Sequence, residues 1–214
     1  MSNSAPTGRR RRGRLQRNLP ERQGENVSKL AYYVGGWDLD VDVCPCDVQF
    51  TDFLEEKKIK NGTIFHFGTG THHHVGVRCA ENGSNNAVLA ITASVEEIDA
   101  YTKLALERPA VTKTYKAFFG DIYLLEKRLL PMFDAVCLPH VCEFRGPENE
   151  SYGGMTDRQM VDLLTEHTKP GGYIFFYTKS MAYDQAGPLV TKWSKDAPVT
   201  DEGLYKTLAV FRKK

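Results

Sequence analysis

Apolar residues in this chain cluster into short runs, which alternate with longer stretches of mixed apolar and polar residues. Runs rich in β-branched and aromatic residues indicate buried strands. They lie at residues 64–67, 87–91, 115–119, 133–138 and 173–177, with a final strand near 204–211. Strands that alternate with helices at this rhythm predict an α/β fold, a three-layer sandwich with helices on both faces of one sheet.

Two of the intervening helices are predicted to begin with a capping box. Ser94 stands three residues before Glu97. In this pattern the serine hydroxyl accepts the glutamate N–H, and the glutamate side chain reaches back to the serine N–H. Thr156 and Gln159 repeat the pattern. The first helix is expected to stop near Pro109, because proline cannot continue a helix.

Other segments are assigned by periodicity and by helix-breaking residues. Segments 48–58 and 122–130 have enough apolar residues for helices that pack on the sheet. Pro-Gly-Gly at 170–172 is a stop before the fifth strand. Within the segment 182–203, residues 189–193 suit either a helix or a strand.

Composition and cysteine content limit the possible number of domains, the partners and the cellular compartment of the protein. The chain has 214 residues, of which 41% are hydrophobic and 26% charged, which is enough for one domain with a core. A net charge of +1 argues against a wholly acidic or wholly basic partner surface. Five cysteines without an apolar secretory leader favour reduced thiols and a cytoplasmic protein. No apolar run approaches the roughly 18 residues of a membrane helix, so no membrane partner is expected.

The chain divides into three parts by composition. Residues 1–28 contain an arginine run at 9–14 and almost nothing apolar, so a disordered basic tail is predicted. The alternatives are an arm that touches RNA phosphates or an acidic surface, and an organelle presequence. Residues 29–60 form an N-terminal extension with a helix, and residues 61–214 form the α/β domain.

The first predicted strand leads into two glycines, Gly68 and Gly70, and then into a helix start. A buried strand followed by such a turn is the first βα unit of a doubly wound sheet. Gly68 supplies the tight turn, and Gly70 lets backbone N–H groups approach a ligand closely. We therefore predict a ligand site at the end of this strand.

Two groups of residues invite a metal interpretation. Cys44 and Cys46 form a C-x-C pair, but a metal site needs further ligands at matching spacing and the sequence places none nearby. His72, His73 and His74 are consecutive, and adjacent helical residues point in different directions, so at most two could reach one ion. We predict packed or surface thiols, loop or ligand-facing histidines, and no metal site.

Five pieces of the sequence, taken in order, resemble the class I S-adenosylmethionine-dependent methyltransferase family. They are the glycine loop at 67–71, the second-strand exit at 92–94, Phe-Gly-Asp-Ile at 119–122, Phe-Asp-Ala-Val at 133–136 with His-Val-Cys-Glu at 140–143, and Lys-Pro-Gly-Gly at 169–172. Dinucleotide dehydrogenases have neither the Gly-Asp turn after the third strand nor the Lys-Pro-Gly-Gly sequence before the fifth strand. The resemblance runs from about residue 48 to the C-terminus. It implies a Rossmann-like methyltransferase fold, with a doubly wound, mostly parallel sheet and an antiparallel C-terminal strand.

The resemblance also implies S-adenosylmethionine as the cofactor. The glycine loop would admit its methionine portion, with Gly68, Thr69, Gly70 and Thr71 lining it. Asp121 matches the acid that accepts a hydrogen bond from the adenine amino group, with Ile122 beside the ring.

Two residues that follow the fourth predicted strand, Pro139 and His140, would lie near the transferable methyl group. A base is needed when the acceptor has a proton to lose, and His140 is the candidate because histidine titrates near neutral pH. The alternative for His140 is a turn histidine whose ring is satisfied by the backbone.

Two positions depart from the family pattern. His66 stands where the family has an acid two residues before the first glycine, and Thr92 stands where an acid grips both ribose hydroxyls. A carboxylate accepts two hydrogen bonds from a diol, whereas a threonine hydroxyl accepts less well and without charge. Glu96 is the nearest substitute, since the predicted cap engages Glu97. An acid placed at position 92 is expected to tighten cofactor binding at little cost to folding, because it lies near a helix N-terminus.

The leading functional hypothesis is methyl transfer to a small-molecule acceptor, because no accessory nucleic-acid module is visible. One alternative is a methyltransferase-like domain without catalysis that serves in binding or assembly, favoured by His66 and Thr92. The other is an RNA-directed methyltransferase that uses the arginine-rich tail, disfavoured by the near-zero net charge.

Overall fold

The computed structural model describes residues 31–214, so the predicted tail at 1–28 lies outside the described residues. The strands of the described part are β1 (Thr63–Phe67), β2 (Ala87–Thr92), β3 (Tyr115–Phe119), β4 (Phe133–Leu138), β5 (Thr168–Tyr177), β6 (Val199–Tyr205) and β7 (Leu208–Lys213). The α-helices are α1 (Cys46–Glu56), α2 (His74–Glu81), α3 (Val95–Glu107), α4 (Pro147–Ser151), α5 (Asp157–Glu166) and α6 (Tyr183–Asp196).

The strands form one sheet in the order β3-β2-β1-β4-β5-β7-β6. Strands β1 to β5 pair in parallel, and β7 is antiparallel to both β5 and β6. The predicted doubly wound sheet with an antiparallel C-terminal strand is confirmed. The strand order reverses between β1 and β4, and open α/β sheets bind ligands at the carboxyl edge beside such a switch point.

Apolar clusters fill both faces of the sheet. On one face, Phe65 packs with Met160 of α5 and Trp193 of α6. On the other, Ile64 packs with Phe50 of α1, together with residues of α2 and α3. Neighbouring residues of β1 thus point to opposite faces, as the two-residue period of a strand requires. Each fully buried side chain of this size stabilises the fold by about 1.5–3 kcal/mol. The three-layer sandwich is confirmed.

Residues 122–130 do not form the predicted helix. Asp121 accepts the Tyr123 N–H at 2.8 Å, and Glu126 accepts the Arg128 N–H at 3.1 Å. Side chains that cap the backbone locally in this way compete with continuation of a helix. The outcome is two short 3-10 turns, at Ile122–Leu124 and Lys127–Leu129.

The Pro-Gly-Gly sequence at 170–172 lies within a strand and does not precede it. Strand β5 begins at Thr168, and its register against β4 shifts between Phe133 and Ala135. Gly171 adopts a φ of +80°, the left-handed region that favours glycine. The glycines thus form an irregularity early in the strand, of the kind that β-bulges produce.

The C-terminal region forms a hairpin and not the single predicted strand. Strands β6 and β7 pair around Lys206, which has a φ of +55°. Residues 189–193, whose sequence suits either a helix or a strand, are helical within α6. Among residues 31–214, no helix combines the length and apolar character needed to cross a bilayer.

Candidate active site

Gly68 and His140 meet at the switch point between β1 and β4. Gly68 follows β1 with a φ of +79°, a conformation in which a side chain would be strained. His140 follows β4, and a Cβ atom added to Gly68 would lie 3.1 Å from Cδ2 of the imidazole. The predicted glycine turn and the predicted post-strand histidine are therefore in direct contact.

The end of β2 has a buried carboxylate, but it comes from α3. Oε2 of Glu97 accepts hydrogen bonds from Thr92 Oγ1 at 2.7 Å, Thr69 Oγ1 at 3.0 Å and the Thr69 N–H at 3.3 Å. Ser94 Oγ caps the Glu97 N–H at 3.2 Å, as predicted. The Ser94 N–H donates instead to Thr92 Oγ1, at 3.0 Å. The predicted capping box is thus only half formed, and the Glu97 side chain serves the strand end.

An N-terminal strap, residues 31–38, crosses the carboxyl edge of the sheet. The Tyr33 N–H donates to the Ala93 carbonyl at 2.7 Å, and the Val95 N–H donates to the Tyr33 carbonyl at 2.8 Å. The Tyr33 ring packs edge-on against Phe144 with centroids 5.0 Å apart, and its hydroxyl donates to the Phe144 carbonyl at 3.1 Å. The strap is therefore attached both to the start of α3 and to the loop after β4.

The strap also covers the glycine loop. The Thr71 N–H donates to the Trp37 carbonyl at 2.8 Å, and Thr71 Oγ1 donates to Asp38 Oδ1 at 2.5 Å. A Cβ atom on Gly70 would lie 2.9 Å from the Trp37 carbonyl oxygen and 2.3 Å from His72 Nε2. The close approach predicted at Gly70 is thus made by the chain's own strap and by a histidine.

Asp121, just after β3, is buried and has hydrogen-bond donors on both carboxylate oxygens. Its Oδ1 accepts the Tyr123 N–H at 2.8 Å. Its Oδ2 accepts Asn149 Nδ2 at 2.7 Å and also the Tyr152 hydroxyl. The same Tyr152 oxygen accepts the Ala31 N–H of the strap at 3.3 Å. Asp121, the acid predicted to bind adenine, therefore connects the end of β3 to α4 directly and to the strap through Tyr152.

Comparison with known proteins identifies the fold. No protein-family model and no curated protein matches this sequence. A candidate caffeoyl-CoA O-methyltransferase from Staphylococcus aureus matches with a TM-score of 0.62 and 12% identity, over 84% of this chain and 86% of that one. A candidate rRNA methylase from Clostridium thermocellum matches with a TM-score of 0.56 and 14% identity, over 79% and 97% of the two chains. The fold is that of class I methyltransferases.

Other matches to this methyltransferase fold cover less of the solved protein. An O-methyltransferase family protein from Burkholderia thailandensis has a TM-score of 0.51 and 13% identity, over 78% of this chain and 56% of that one. In two further matches, this chain spans 35% and 50% of the length of the solved protein. Identities this low establish the fold alone, because one fold supports many activities.

His66 does not face the carboxyl edge of the methyltransferase fold. It is 2% exposed, and its Nε2 lies 3.0 Å from Oδ1 of Asp47 in α1. Burial alone would raise the pKa of Asp47, but the charge and hydrogen bond of His66 lower it to about 2. The position where the family has an acid is therefore occupied by a buried histidine–carboxylate pair, which leaves His66 no surface for a ligand.

The three consecutive histidines point to different partners, as predicted. His73 is buried, with Nδ1 2.7 Å from the Tyr115 hydroxyl and Nε2 2.9 Å from the Glu97 carbonyl. Burial lowers the pKa of His73 to about 4. His74 contacts a threonine of α1, and His72 lies against the glycine loop.

The C-x-C pair and the candidate base come together in the methyltransferase fold. Cys44 Sγ and Cys46 Sγ are 3.4 Å apart, and both lie within 4.8 Å of a ring nitrogen of His140. The hydrogen bond with Cys46 lowers the pKa of Cys44 to about 7. Burial opposes a charge on His140, but the adjacent Glu143 carboxylate raises its pKa to about 9. This environment favours a protonated imidazole at neutral pH, which is suited to attract an anion and not to accept a proton.

The structure therefore groups most of the predicted site residues at one edge. The glycine loop, Thr92, Asp121 and His140 lie there, and Ile122 and Pro139 are buried beside them. Sequence reasoning missed the roles of Glu97 and Cys44. Their partners lie 28 and 96 residues away, and Glu97 has the spacing of a capping-box glutamate.

Proposed function

We propose that this protein binds S-adenosylmethionine at the carboxyl edge of β1, β2 and β3 and directs methyl transfer to a small-molecule acceptor. The observation that carries the proposal is the contact between Gly68 and His140 at the switch point. A glycine turn and an imidazole therefore lie together at the place where a donor and an acceptor would meet. Several proteins with this fold are named as methyltransferases, which supports the proposal.

The residues at this edge are of the types needed to bind each part of S-adenosylmethionine. Gly68 and Gly70 both have positive φ values, +79° and +58°, in a loop without side chains at those two positions. Asp121 is the acid for the adenine amino group. Glu97 takes the place of the ribose-binding acid that position 92 lacks, since its carboxylate lies at the end of β2. A carboxylate offers about four acceptor sites, and the three hydrogen bonds to Glu97 all involve one oxygen.

The strap has to move before a ligand can reach these groups. It supplies the carbonyl oxygen that faces Gly70 and, through Tyr152, a contact on Asp121. Cofactor binding is therefore coupled to displacement of residues 31–38. The free energy needed to open the strap reduces the favourable free energy of cofactor binding. The apparent affinity is therefore lower than the affinity of the open form, because only the open form binds.

When bound, S-adenosylmethionine supplies a methyl group on a positively charged sulfur. The chain's own contribution is alignment, because an in-line displacement depends mainly on holding donor and acceptor in position. His140 is the side chain placed to contact the acceptor. In its protonated form it would orient an anionic or hydrogen-bond-accepting group, and it can serve as a base only after it loses that proton.

Calorimetric titration of the full chain with S-adenosylhomocysteine and S-adenosylmethionine tests the proposal. Glu97→Gln keeps an acceptor oxygen for both threonine hydroxyls but removes the charge. We expect affinity to fall by about ten- to a hundredfold, equivalent to roughly 1.5–3 kcal/mol for a hydrogen bond to a charged group. Glu96→Gln is the matched control, because Glu96 is an exposed neighbour whose carboxylate accepts the Gly36 N–H. Binding that is lost equally in both variants, or unchanged in a folded Glu97→Gln protein, contradicts the assignment.

The second candidate function is binding or assembly without catalysis. The closed strap favours it, since the carboxylates of Glu97 and Asp121 already accept hydrogen bonds from groups within residues 31–214. This candidate predicts that neither cofactor form binds, even to a variant with a weakened strap. The RNA-directed alternative is tested separately, by salt-dependent RNA binding with and without residues 1–28.

A further inference from the structure

We propose that Cys44, Cys46 and His140 bind one soft divalent cation of the zinc type. The two sulfurs are 3.4 Å apart, and all three ligand atoms lie within 4.8 Å of one another. Around a tetrahedral zinc ion, two sulfurs and a nitrogen are separated by about 3.5–3.8 Å, given metal–ligand distances of about 2.0–2.3 Å. The pair of sulfurs already has nearly this spacing, and His140 needs to approach by about an ångström. Thiolate and imidazole are the ligands that zinc prefers.

The backbone holds the two cysteines in place. Pro45, between them, is the N-cap residue of α1, so Cys46 begins a helix. Asp40 Oδ1 accepts the Val43 N–H at 3.2 Å, and the Cys44 N–H donates to the Asp40 carbonyl at 2.8 Å. These local hydrogen bonds form a turn that fixes Cys44 before any ion binds. A site with ordered ligands loses less conformational entropy on binding.

His140 is held from two sides as a ligand would be. Its ring packs on Gly68, where a side chain would displace it. Oε2 of Glu143 lies 3.2 Å from Nδ1, within ion-pair distance. Within the described residues, Nδ1 is buried and has no hydrogen-bond partner. Glu143 is itself fixed by the Ser180 hydroxyl at 2.6 Å. A carboxylate beside a ligating histidine fixes the orientation of the ring.

The charges around the cluster also suit a cation. Binding would release the thiol protons and the proton of the His140 imidazolium to solvent, and two thiolates would balance the charge of a divalent ion. The buried carboxylates of Asp47 and Glu143 lie nearby, at Cys46 and His140 respectively. His66 and His72 also face Asp47, with Nε2–carboxylate distances of 3.0 and 4.0 Å.

Three protein ligands leave one tetrahedral position open. Because His140 also contacts Gly68, the ion would lie at the switch point of the sheet. If the protein transfers methyl groups as proposed above, the open position would hold an acceptor thiol or hydroxyl as its anion. The acceptor's proton would then leave on binding, which removes the need for His140 to act as a base. This assignment replaces the expectation from sequence that the thiols bind no metal.

The experiment measures metal binding on the full chain without S-adenosylmethionine, so its result is independent of the proposed function. The protein is reduced, stripped with a chelator, and titrated with Co²⁺ while thiolate-to-cobalt absorption is recorded. We expect one ion per chain, displaced by one equivalent of Zn²⁺. Cys44→Ser, Cys46→Ser and His140→Gln should each weaken binding by more than a hundredfold. Glu143→Gln should weaken it by about ten- to a hundredfold, as for other residues that orient a ligand.

Cys142→Ser is the matched control, since Cys142 is a half-buried cysteine two residues from His140 and outside the cluster. It should leave stoichiometry and affinity unchanged. Less than one ion per reduced wild-type chain would overturn the proposal, whether or not the ligand variants fold. A Cys44–Cys46 disulfide that persists under reduction, or equal weakening by Cys142→Ser, would overturn it as well.

Discussion

Thr92 Oγ1 donates a hydrogen bond to Glu97 Oε2 across 2.7 Å, at the point where β2 ends and α3 begins. Both residues are buried, with exposures of 4% each. The strand end therefore already has a carboxylate, and residue 92 is its hydrogen-bond donor. This contact determines how the site responds to substitution.

Thr92→Asp should destabilise the protein, contrary to the expectation from sequence. It places a second carboxylate beside Glu97, and two buried acids at this distance cannot both ionise. One of them must take up a proton, at a cost of about 3–4 kcal/mol for a like-charge pKa shift of two to three units. Urea unfolding at pH 7 measures the loss. Thr92→Ser keeps the hydroxyl and should remain within about 1 kcal/mol of wild type. A Thr92→Asp protein as stable as wild type would show that Glu97 is not held as described.

Tyr33→Ala should strengthen binding of S-adenosylhomocysteine while weakening the fold. The change removes a hydrogen bond and an edge-on aromatic contact that keep the strap closed, together about 1–3 kcal/mol. If the strap must open for binding, affinity should rise by about five- to a hundredfold. Calorimetry measures the change. Leu204→Ala removes an exposed side chain from β6 at the far edge of the sheet and should alter neither quantity. A weaker or unchanged affinity in Tyr33→Ala would contradict the coupling between strap and cofactor.

The elements that the sequence predicts well are those with strong local signals. The apolar runs of β1, β2, β3 and β4 form strands within one residue of the predicted bounds. The Thr156–Gln159 box forms in full, with the Gln159 N–H on Thr156 Oγ1 at 3.2 Å and the Thr156 N–H on Gln159 Oε1 at 2.9 Å. Each of these features depends on neighbours a few residues away.

The features that the sequence does not predict depend on distant partners. Glu97 has the spacing of a capping box. Its carboxylate instead accepts hydrogen bonds from the Thr69 N–H and from the hydroxyls of Thr69 and Thr92, and not from the Ser94 N–H. The helix expected at 122–130 fails because two acidic side chains cap short turns. The sequence does not place His140 beside Cys44 and Cys46, because His140 follows β4 and comes near the cysteines only when the sheet has formed.

Asp121→Ala should reduce stability as well as cofactor affinity. In the folded protein it removes the acceptor for the Tyr123 N–H, the Asn149 amide and the Tyr152 hydroxyl. Buried donors left without a partner should lower the free energy of unfolding by about 2–3 kcal/mol. Asp162→Ala is the comparison, since it breaks a surface ion pair with Arg158 worth about 0–1 kcal/mol. Equal effects in the two variants would show that Asp121 does not anchor α4.

His73 should make the fold sensitive to acid in a defined range. The Glu97 carbonyl can only accept, so Nε2 carries the proton and Nδ1 accepts from the Tyr115 hydroxyl. Both partners are thus satisfied by the neutral imidazole, and burial lowers its pKa from 6.5 to about 4. The unfolded chain binds this proton more readily, so stability is fully present above pH 6.5 and is lost as the pH falls towards 4. The loss attributable to His73 should be about 2–3 kcal/mol.

Urea unfolding across pH 7 to 4 measures this loss. His73→Gln should be less stable than wild type at pH 7, because the glutamine amide replaces the ring imperfectly, and its stability should vary less with pH. His167→Gln, at the half-buried C-cap residue of α5, should keep the wild-type slope. Of these two histidines, only His73 has both ring nitrogens hydrogen-bonded inside the core. If the two variants differ in how the free energy of unfolding changes with pH, the difference is due to the buried environment of His73. A His73→Gln protein with the same pH dependence as wild type would assign the acid sensitivity to other groups.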